Sequence, residues 1–145
     1  MERTLVLVKP DAVQRGLVGD VLSRLERTGL KLVAMRMLQM DSDMAERHYA
    51  IHRDKPFFEE LVQFITSNPL VAAIFEGSMA VEIVRKAMGE TDPARAAPGT
   101  IRGDLALDIG HNVVHGSDSV DTAEQEISLF FAPEDVLSYE RQVER

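Results

Sequence analysis

The chain has 145 residues, no cysteine, 45% hydrophobic residues and a formal net charge of -8. This length and apolar content predict a single domain, residues 1–145, with its own core. The lack of cysteine excludes disulfides, thiolate nucleophiles and cysteine-ligated zinc. The acidic charge argues against a broad basic face for nucleic acid. The N-terminal apolar run at 5–8 is too short for a signal peptide or a membrane span, so we expect a cytoplasmic protein with no membrane partner.

The first half of the chain predicts strands and helices in alternation. The uninterrupted aliphatic run at 5–8 is typical of a strand covered on both faces, and Lys9-Pro10-Asp11 ends it. The elements that follow are a helix at 18–28, a strand at 30–40, a short helix at 44–49 capped by Asp41 or Ser42, and a helix that starts at Pro56.

The second half continues the alternation after a long irregular segment. A strand at 70–75 precedes a helix that Ser78 caps and Gly89 ends. Residues 89–110 predict a loop with a single helical turn at 102–107, and loops of this length inside one domain are usually functional. A strand leading to His115, a long helix, a helical turn at 133–139 and a charged tail at 140–145 complete the chain. Crossover helices between four strands predict one covered sheet with strand ends together at one edge.

His115 is the residue most suited to chemistry. It follows two valines that favour a half-buried strand, and Gly116 and several hydroxyl groups come directly after it. The next helix, capped by Ser119 or by a capping box that starts at Asp121, places Glu126 within about two turns of the loop. A histidine oriented by a carboxylate can act as a nucleophile or a general base. A core histidine bonded to a neighbouring strand is the competing interpretation.

Other polar and aromatic residues also allow two interpretations. Lys9 lies at the end of the first strand. It is either a group that faces a ligand at the sheet edge or an ordinary surface lysine. Phe57 lies off the apolar stripe of its helix. Its ring either fills space at a hinge or provides a surface on which a base stacks. Arg85 lies in the last turn of its helix, where the helix dipole explains it. His48 and His52 have a metal-ligand spacing, but without an evident third ligand the sequence does not predict zinc.

Several separate blocks resemble the nucleoside diphosphate kinases in order and spacing, across nearly the whole chain. The blocks are Lys9-Pro10-Asp11, His48-Tyr49 and the segments 55–58, 90–93, 98–104 and 112–119. The resemblance implies an α/β (α+β) ferredoxin-like sandwich, a four-stranded antiparallel sheet covered by helices, with a long loop before the catalytic strand. It also implies transfer of the terminal phosphate of a nucleoside triphosphate to a nucleoside diphosphate by a ping-pong mechanism through a phosphohistidine.

The resemblance assigns roles residue by residue. His115 matches the nucleophile, Glu126 the carboxylate that orients it, and Ser117 lies beside them. The groups that match the lining of the transferred phosphate are Lys9 and Tyr49, and those that match the phosphate clamp are Arg85, Thr91 and Arg102. The residues that match the sugar 3′-hydroxyl contacts are Asn112 and Lys9, and those that match the base slot are Phe57, Leu61 and Ile109.

The resemblance implies Mg²⁺ as the cofactor and nucleotides with a broad base range, ribo and deoxy, as substrates in a homo-oligomer. Magnesium is expected to arrive on the nucleotide phosphates without a direct protein ligand, and Asp118 is the expected indirect contact. His111 departs from the family, because many members carry arginine there, and this puts a local ion pair or an interface contact in doubt. The alternatives are a histidine phosphocarrier, which needs no nucleotide slot, and a nucleic-acid-binding regulator, which the acidic charge disfavours.

Overall fold

The structure of the protein is a computed structural model, and it describes residues 1–142. The strands are β1 (Glu2–Val8), β2 (Lys31–Leu38), β3 (Leu70–Gly77) and β4 (Val114–Gly116). The α-helices are α1 (Pro10–Gln14), α2 (Val18–Glu26), α3 (Ser42–His48), α4 (Phe58–Thr66), α5 (Ala80–Met88), α6 (Ile101–Leu105) and α7 (Val120–Phe130). Short 3₁₀ turns occupy Ala50–His52 and Pro133–Asp135.

The four strands form one sheet in the order β2-β3-β1-β4. Every neighbouring pair is antiparallel. The connections from β1 to β2 and from β3 to β4 each skip one strand, whereas β2 and β3 are neighbours in the sheet. The carboxyl ends of neighbouring strands therefore lie on opposite sides of the sheet. The expectation that the crossovers bring the strand ends together at one edge is wrong for neighbouring strands. The antiparallel sheet with its covering helices is the ferredoxin-like α/β fold that the resemblance implied, so that prediction is confirmed.

Both faces of the sheet are covered, as the apolar run at 5–8 predicted. Side chains alternate across the central strand: Leu5 and Leu7 belong to one core, Val6 and Val8 to the other, and all four are fully buried. Helices α2 and α5 cover the valine face, and α4 and α7 cover the leucine face. Apolar side chains therefore bury the central strand from both faces.

Several predicted boundaries are corrected. Helix α5 begins at Ala80 rather than at a Ser78 cap, because Met79 occupies the cap position at φ 58°. Helix α4 begins at Phe58 and not at Pro56. Helix α1 was not predicted, although Pro10 starts it at the position where the missing N–H costs nothing.

The helix caps that hold the site were partly predicted. Asp41 Oδ1 accepts the Met44 N–H at 2.8 Å, as expected. Ser119 Oγ accepts the Thr122 N–H at 3.1 Å, so Ser119 caps α7 and the capping box at Asp121 is wrong. Of the predicted tail at 140–145, residues 143–145 lie outside the described part. Within residues 1–142 no helix is long and apolar enough to cross a membrane.

Candidate active site

His115 stands in the middle of β4, the short edge strand. Its backbone pairs with Leu7 of the central strand, and Ser117 N donates to the Leu5 carbonyl at 3.1 Å just beyond. The imidazole is 26% exposed, while Val114 and Gly116 on either side are buried. The strand thus anchors the backbone and leaves the ring accessible to a ligand.

Glu126 of α7 holds the imidazole. Its Oε2 lies 2.9 Å from His115 Nε2, and Ser117 Oγ donates to its Oε1 at 2.6 Å. Burial raises the pKa of Glu126, but the hydrogen bond and charge of His115 together with the Ser117 hydroxyl outweigh it and hold the pKa below its ordinary value. An ionised carboxylate accepts only, so Nε2 carries the proton and the lone pair is on Nδ1. Within residues 1–142 no hydrogen bond engages that Nδ1.

The aromatic rings of His48 and Tyr49, at the end of α3, pack beside His115. The His48 ring lies edge-on to the rings of His115 at 5.0 Å and Tyr49 at 4.7 Å. Burial, followed by the neighbouring His115, lowers the pKa of His48 to about 3, so this imidazole is neutral. Burial and the Glu126 carboxylate raise the pKa of Tyr49 to about 12, which keeps its hydroxyl protonated. A cavity of about 300 Å³ is lined by His48, Tyr49 and His115, and Asp118 also lines it.

The chain enters β4 through a strained turn at residues 112–114, here called the entry turn. Val113 has φ 76°, a conformation that is rare for a β-branched residue. Val114 N donates to the Asn112 carbonyl at 2.8 Å, which closes a three-residue γ-turn. Asp11 Oδ2 accepts the Val113 N–H at 3.1 Å, and Lys9 N donates to the Val113 carbonyl at 2.9 Å. Two groups from the distant Lys9–Asp11 segment therefore hold the strained peptide.

Arg102 holds the same turn from the other side. Its guanidinium donates to the carbonyls of Val114 at 2.7 Å, Gly89 at 3.2 Å and Asn112 at 3.4 Å. The residue is 7% exposed. Burial, and then the charge of Arg85, lowers the pKa of Arg102 to about 10, so it remains charged at neutral pH. A buried cation is tolerated here because carbonyl oxygens satisfy its N–H groups.

Lys9 and Asn112 connect the turn to the long loop. Lys9 Nζ donates to Asn112 Oδ1 at 2.8 Å, and Asn112 Nδ2 donates to the Thr91 carbonyl at 3.3 Å. Burial, followed by the charge of Arg102, lowers the pKa of Lys9 to about 8. The predicted sugar contacts are thus in mutual contact, close to the backbone of the predicted nucleophile.

The predicted phosphate clamp lines one cavity. Arg85, Thr91 and Arg102 surround a depression of about 470 Å³, which Lys86 and Arg95 also line. Within the described residues its lining carries one carboxylate, Glu90, against four cations. The dipole interpretation of Arg85 is therefore incomplete, because the side chain also faces a cationic cavity in an acidic protein.

The predicted base slot is built from α4 and the loop before β4. Phe57 is 41% exposed and Ile109 is 60% exposed, while Leu61 is half-buried one turn after Phe57. The two segments meet where the Phe64 ring lies edge-on to His111 at 5.5 Å. The aromatic and aliphatic groups of the slot are available to a ligand, and their role as a slot stays a prediction.

His111, which departs from the family pattern, makes a local contact with Asp108. Its Nδ1 lies 2.9 Å from Asp108 Oδ1, which also accepts its backbone N–H at 2.8 Å. The hydrogen bond from the His111 ring, with its backbone N–H, lowers the pKa of Asp108. His111 therefore makes two hydrogen-bond contacts with Asp108.

Two groups near the site were not predicted from the sequence. Asp11 was quoted only as part of a motif, and nothing local indicates that it accepts the N–H of a residue in the entry turn. His48 was weighed as a metal ligand with His52, yet its ring faces His115 and Glu126. Neither its spacing from His52 nor the His48-Tyr49 block indicates that orientation.

The arrangement is suited to phosphoryl transfer, because such transfer needs a positioned nucleophile and fixed positive charge rather than elaborate covalent machinery. The fold and this site define a phosphotransferase. The chain matches the profile of the family described as "Nucleoside diphosphate kinase" over residues 2–136.

Curated relatives and solved structures agree with that match. The nucleoside diphosphate kinase of Thermomicrobium roseum is 61% identical over 145 residues, covering all of this chain and 97% of that protein. That of Archaeoglobus fulgidus is 61% identical over 141 residues, covering 97% of this chain and 93% of that protein. The Halobacterium salinarum enzyme, solved in complex with CDP, has a TM-score of 0.94 and 52% identity, covering 97% of this chain and 94% of that chain. The chain belongs to the nucleoside diphosphate kinase family, and it is an enzyme of that activity.

Proposed function

We propose that His115 carries the phosphoryl group between two nucleotides. The observation that supports this is the hydrogen bond of its Nε2 to Glu126 at 2.9 Å, which orients Nδ1 as the nucleophilic atom. In the first half-reaction the Nδ1 lone pair attacks the terminal phosphorus of a nucleoside triphosphate. The bond from that phosphorus to the bridging oxygen breaks, and the diphosphate leaves.

The second half-reaction reverses the first with a different nucleotide. A terminal oxygen of the incoming nucleoside diphosphate attacks the phosphorus, the N–P bond breaks, and a triphosphate leaves. While Nδ1 carries the phosphoryl group, the proton on Nε2 stays in the hydrogen bond to Glu126, so the positive ring faces a carboxylate. Donor and acceptor enter one after the other, and the kinetics are ping-pong.

The cations near β4 stabilise the transferred group. Lys9, Arg85 and Arg102 supply fixed charge that needs no reorganisation as negative charge shifts between oxygens. Tyr49 lines the cavity of His115 with a protonated hydroxyl, as a donor to the phosphoryl oxygens. Asn112, held by Lys9, is our candidate for the contact with the sugar 3′-hydroxyl, and Thr91 is our candidate for the clamp.

The base is held without strong selection. Stacking on Phe57, in a slot completed by Leu61 and Ile109, discriminates weakly because every base has a π face. We therefore expect ribo- and deoxynucleotides of all common bases as substrates. On the resemblance to the family we also propose a cytoplasmic homo-oligomer.

Mg²⁺ is proposed as the cofactor. Asp118 is exposed at the cavity of His115, and a single carboxylate fits a cation that keeps its waters and arrives on nucleotide phosphates. Asp118 would hold it through water. When bound, the ion neutralises part of the phosphate charge, while the residues named above position the phosphoryl group.

The test is phosphorylation in the absence of an acceptor. Incubation with terminally labelled ATP and Mg²⁺ should place the label on His115 in an acid-labile, base-stable bond, and any nucleoside diphosphate should remove it. His115→Gln should accept no label but still bind nucleotide. The matched control is His111→Gln, which should keep labelling because that imidazole is paired with Asp108 at the surface. Label on another residue, or exchange that needs both nucleotides bound together, would contradict the proposal.

A further inference from the structure

Three side chains from separate elements converge beside the nucleophile: His48 of α3, His115 of β4 and Glu126 of α7. One ligand atom of each lies within 4.8 Å of the other two. Glu126 Oε2 is 2.9 Å from His115 Nε2 and 3.8 Å from His48 Nδ1. Tetrahedral zinc with bonds of about 2.0–2.2 Å places its ligand atoms roughly 3.3 Å apart, and the two distances lie on either side of that value.

Among residues 1–142, phosphoryl transfer leaves two buried imidazole nitrogens unexplained, on His52 and on His48, and of these two residues only His48 belongs to the converging group. Its side chain is 1% exposed, and its Nδ1 has no hydrogen-bond partner among residues 1–142. A buried polar atom without a partner costs about 1–3 kcal/mol. Edge-on packing against Phe130 at 5.8 Å and against His115 fixes the ring but does not satisfy the nitrogen. This nitrogen faces Glu126 and is available to a ligand.

We infer that His48, His115 and Glu126 bind a transition-metal cation of the Zn²⁺ or Co²⁺ type, which inhibits the enzyme. Two imidazoles and one carboxylate are a donor set that suits these ions, whereas Mg²⁺ prefers oxygen donors and retained water. The open cavity of about 300 Å³ at these residues gives access from solvent and leaves room for water in the fourth position.

The inhibition rests on the proposed function of His115. A metal bound to Nε2 displaces the proton from that atom to solvent and removes its hydrogen bond to Glu126. The cation then withdraws electron density from the ring, and Nδ1 becomes a poor nucleophile. Arg85, Thr91 and Arg102 line a different cavity, so nucleotide binding should persist while labelling of His115 stops.

The first experiment measures the site without any reaction. Co²⁺ is titrated into the full-length protein without nucleotide, and the visible absorption of tetrahedral cobalt is followed; Zn²⁺ should displace the signal. His48→Gln should weaken Co²⁺ binding on the order of 10-fold to 100-fold. The matched control is His52→Gln, another imidazole that lines the same cavity but lies outside the converging group. Glu126→Gln, a second variant, should weaken binding as well if His48→Gln fails to fold, which circular dichroism reports.

The second experiment measures inhibition. Zn²⁺ should block labelling of the unsubstituted protein at concentrations that leave His48→Gln labelled. Equal cobalt affinity in His48→Gln and the unsubstituted protein, loss of affinity in His52→Gln, or no tetrahedral signal would overturn the inference. Cobalt binding through His48 without labelling of His115 would sustain the metal site and refute the proposed nucleophile. Labelling of His115 without cobalt binding through His48 would refute the metal site alone.

Discussion

The neighbouring strands β1 and β4 differ in the contacts that hold them in place. Strand β1 pairs with β3 from Glu2 to Val8 and buries aliphatic side chains on both faces. Strand β4 pairs with β1 only from Val114 to Gly116, and its entry turn contains a residue at positive φ. Apolar burial and pairing fix β1 along its whole length, whereas β4 adds polar contacts from Arg102, Asp11 and Lys9 to the burial of Val113 and Val114. The comparison indicates that the fold is secured by the core and the catalytic geometry by a few buried polar groups.

The largest effect should come from Arg102→Ala, which removes three hydrogen bonds from the β4 region. We expect unfolding free energy to fall by on the order of 3 kcal/mol, since the Gly89, Asn112 and Val114 carbonyls lose a charged donor. If Arg102 stabilises the transferred group as proposed, turnover should fall at least about 100-fold, because a fixed cation is lost as well. Urea denaturation and steady-state kinetics measure both. The control is Arg15→Ala, whose exposed guanidinium donates to one carbonyl, of Leu105, at 2.6 Å. Unchanged stability in Arg102→Ala would show that the guanidinium does not hold the turn.

The second effect isolates the strain in the entry turn. Asp11→Ala should destabilise the protein by about 1–3 kcal/mol, because the Val113 N–H loses its acceptor, and turnover should fall with it. Val113→Gly relieves the positive φ, so in its background the Asp11→Ala cost should shrink by about 1 kcal/mol. A double-mutant cycle in urea measures this coupling.

The control for that cycle is Glu2→Ala. Its Oε1 accepts one distant backbone N–H, from Val81, at 2.9 Å, and neither Glu2 nor Val81 has a positive φ. Glu2→Ala should be additive with Val113→Gly. Additivity of Asp11→Ala with Val113→Gly would mean that Asp11 does not act on the strained peptide.

The third effect is a pH dependence confined to the polar region. Because the pKa of Lys9 is lowered to about 8 by burial and by Arg102, its charge is lost as pH rises through that value, and kcat/KM should fall there. Stability should move the other way: the folded state releases this proton before the unfolded state does, so Lys9 contributes increasing stability between pH 8 and 10.5.

Rate profiles from pH 6.5 to 9.5 test this. Lys9→Arg should carry the falling limb to higher pH, because a guanidinium stays protonated. Lys31→Arg is the control, since Lys31 is a half-buried partner of the Tyr139 carbonyl and lies on β2, the edge strand opposite β4. A limb near pH 8 that persists in Lys9→Arg would assign it to another group.

The smallest effect should come from the apolar region. Ile74→Val in β3 removes one methylene from a fully buried side chain and should cost about 0.5–1.5 kcal/mol of stability with kcat unchanged. Thermal unfolding and steady-state assays measure the two quantities. Met37→Leu, 60% exposed on β2, should change neither. A clear fall in kcat for Ile74→Val would show that the core and the catalytic geometry are not separable.

Much of the fold was predictable because its signals are local. The aliphatic run of β1, the apolar stripe of α4 and the caps at Asp41 and Ser119 each depend on residues a few positions apart. The ends of elements were less predictable: Met79 at positive φ moved the start of α5, and no residue pattern indicates that conformation in a methionine. The antiparallel order of the sheet came from the family resemblance, since strand direction is not encoded in the periodicity of any one strand.

The sequence by itself determined the covered sheet, the family, and the candidates His115 and Glu126, because these depend on periodicity and motifs within short segments. Only the tertiary structure decided that Asp11 supports Val113, 102 residues away, and that Arg102 is largely engaged by carbonyls. It also decided that His48 faces Glu126 with an unpartnered nitrogen. Such contacts depend on where distant segments of the chain meet once the apolar faces are buried. A short sequence pattern does not determine this, because it contains only residues that are close together in the chain.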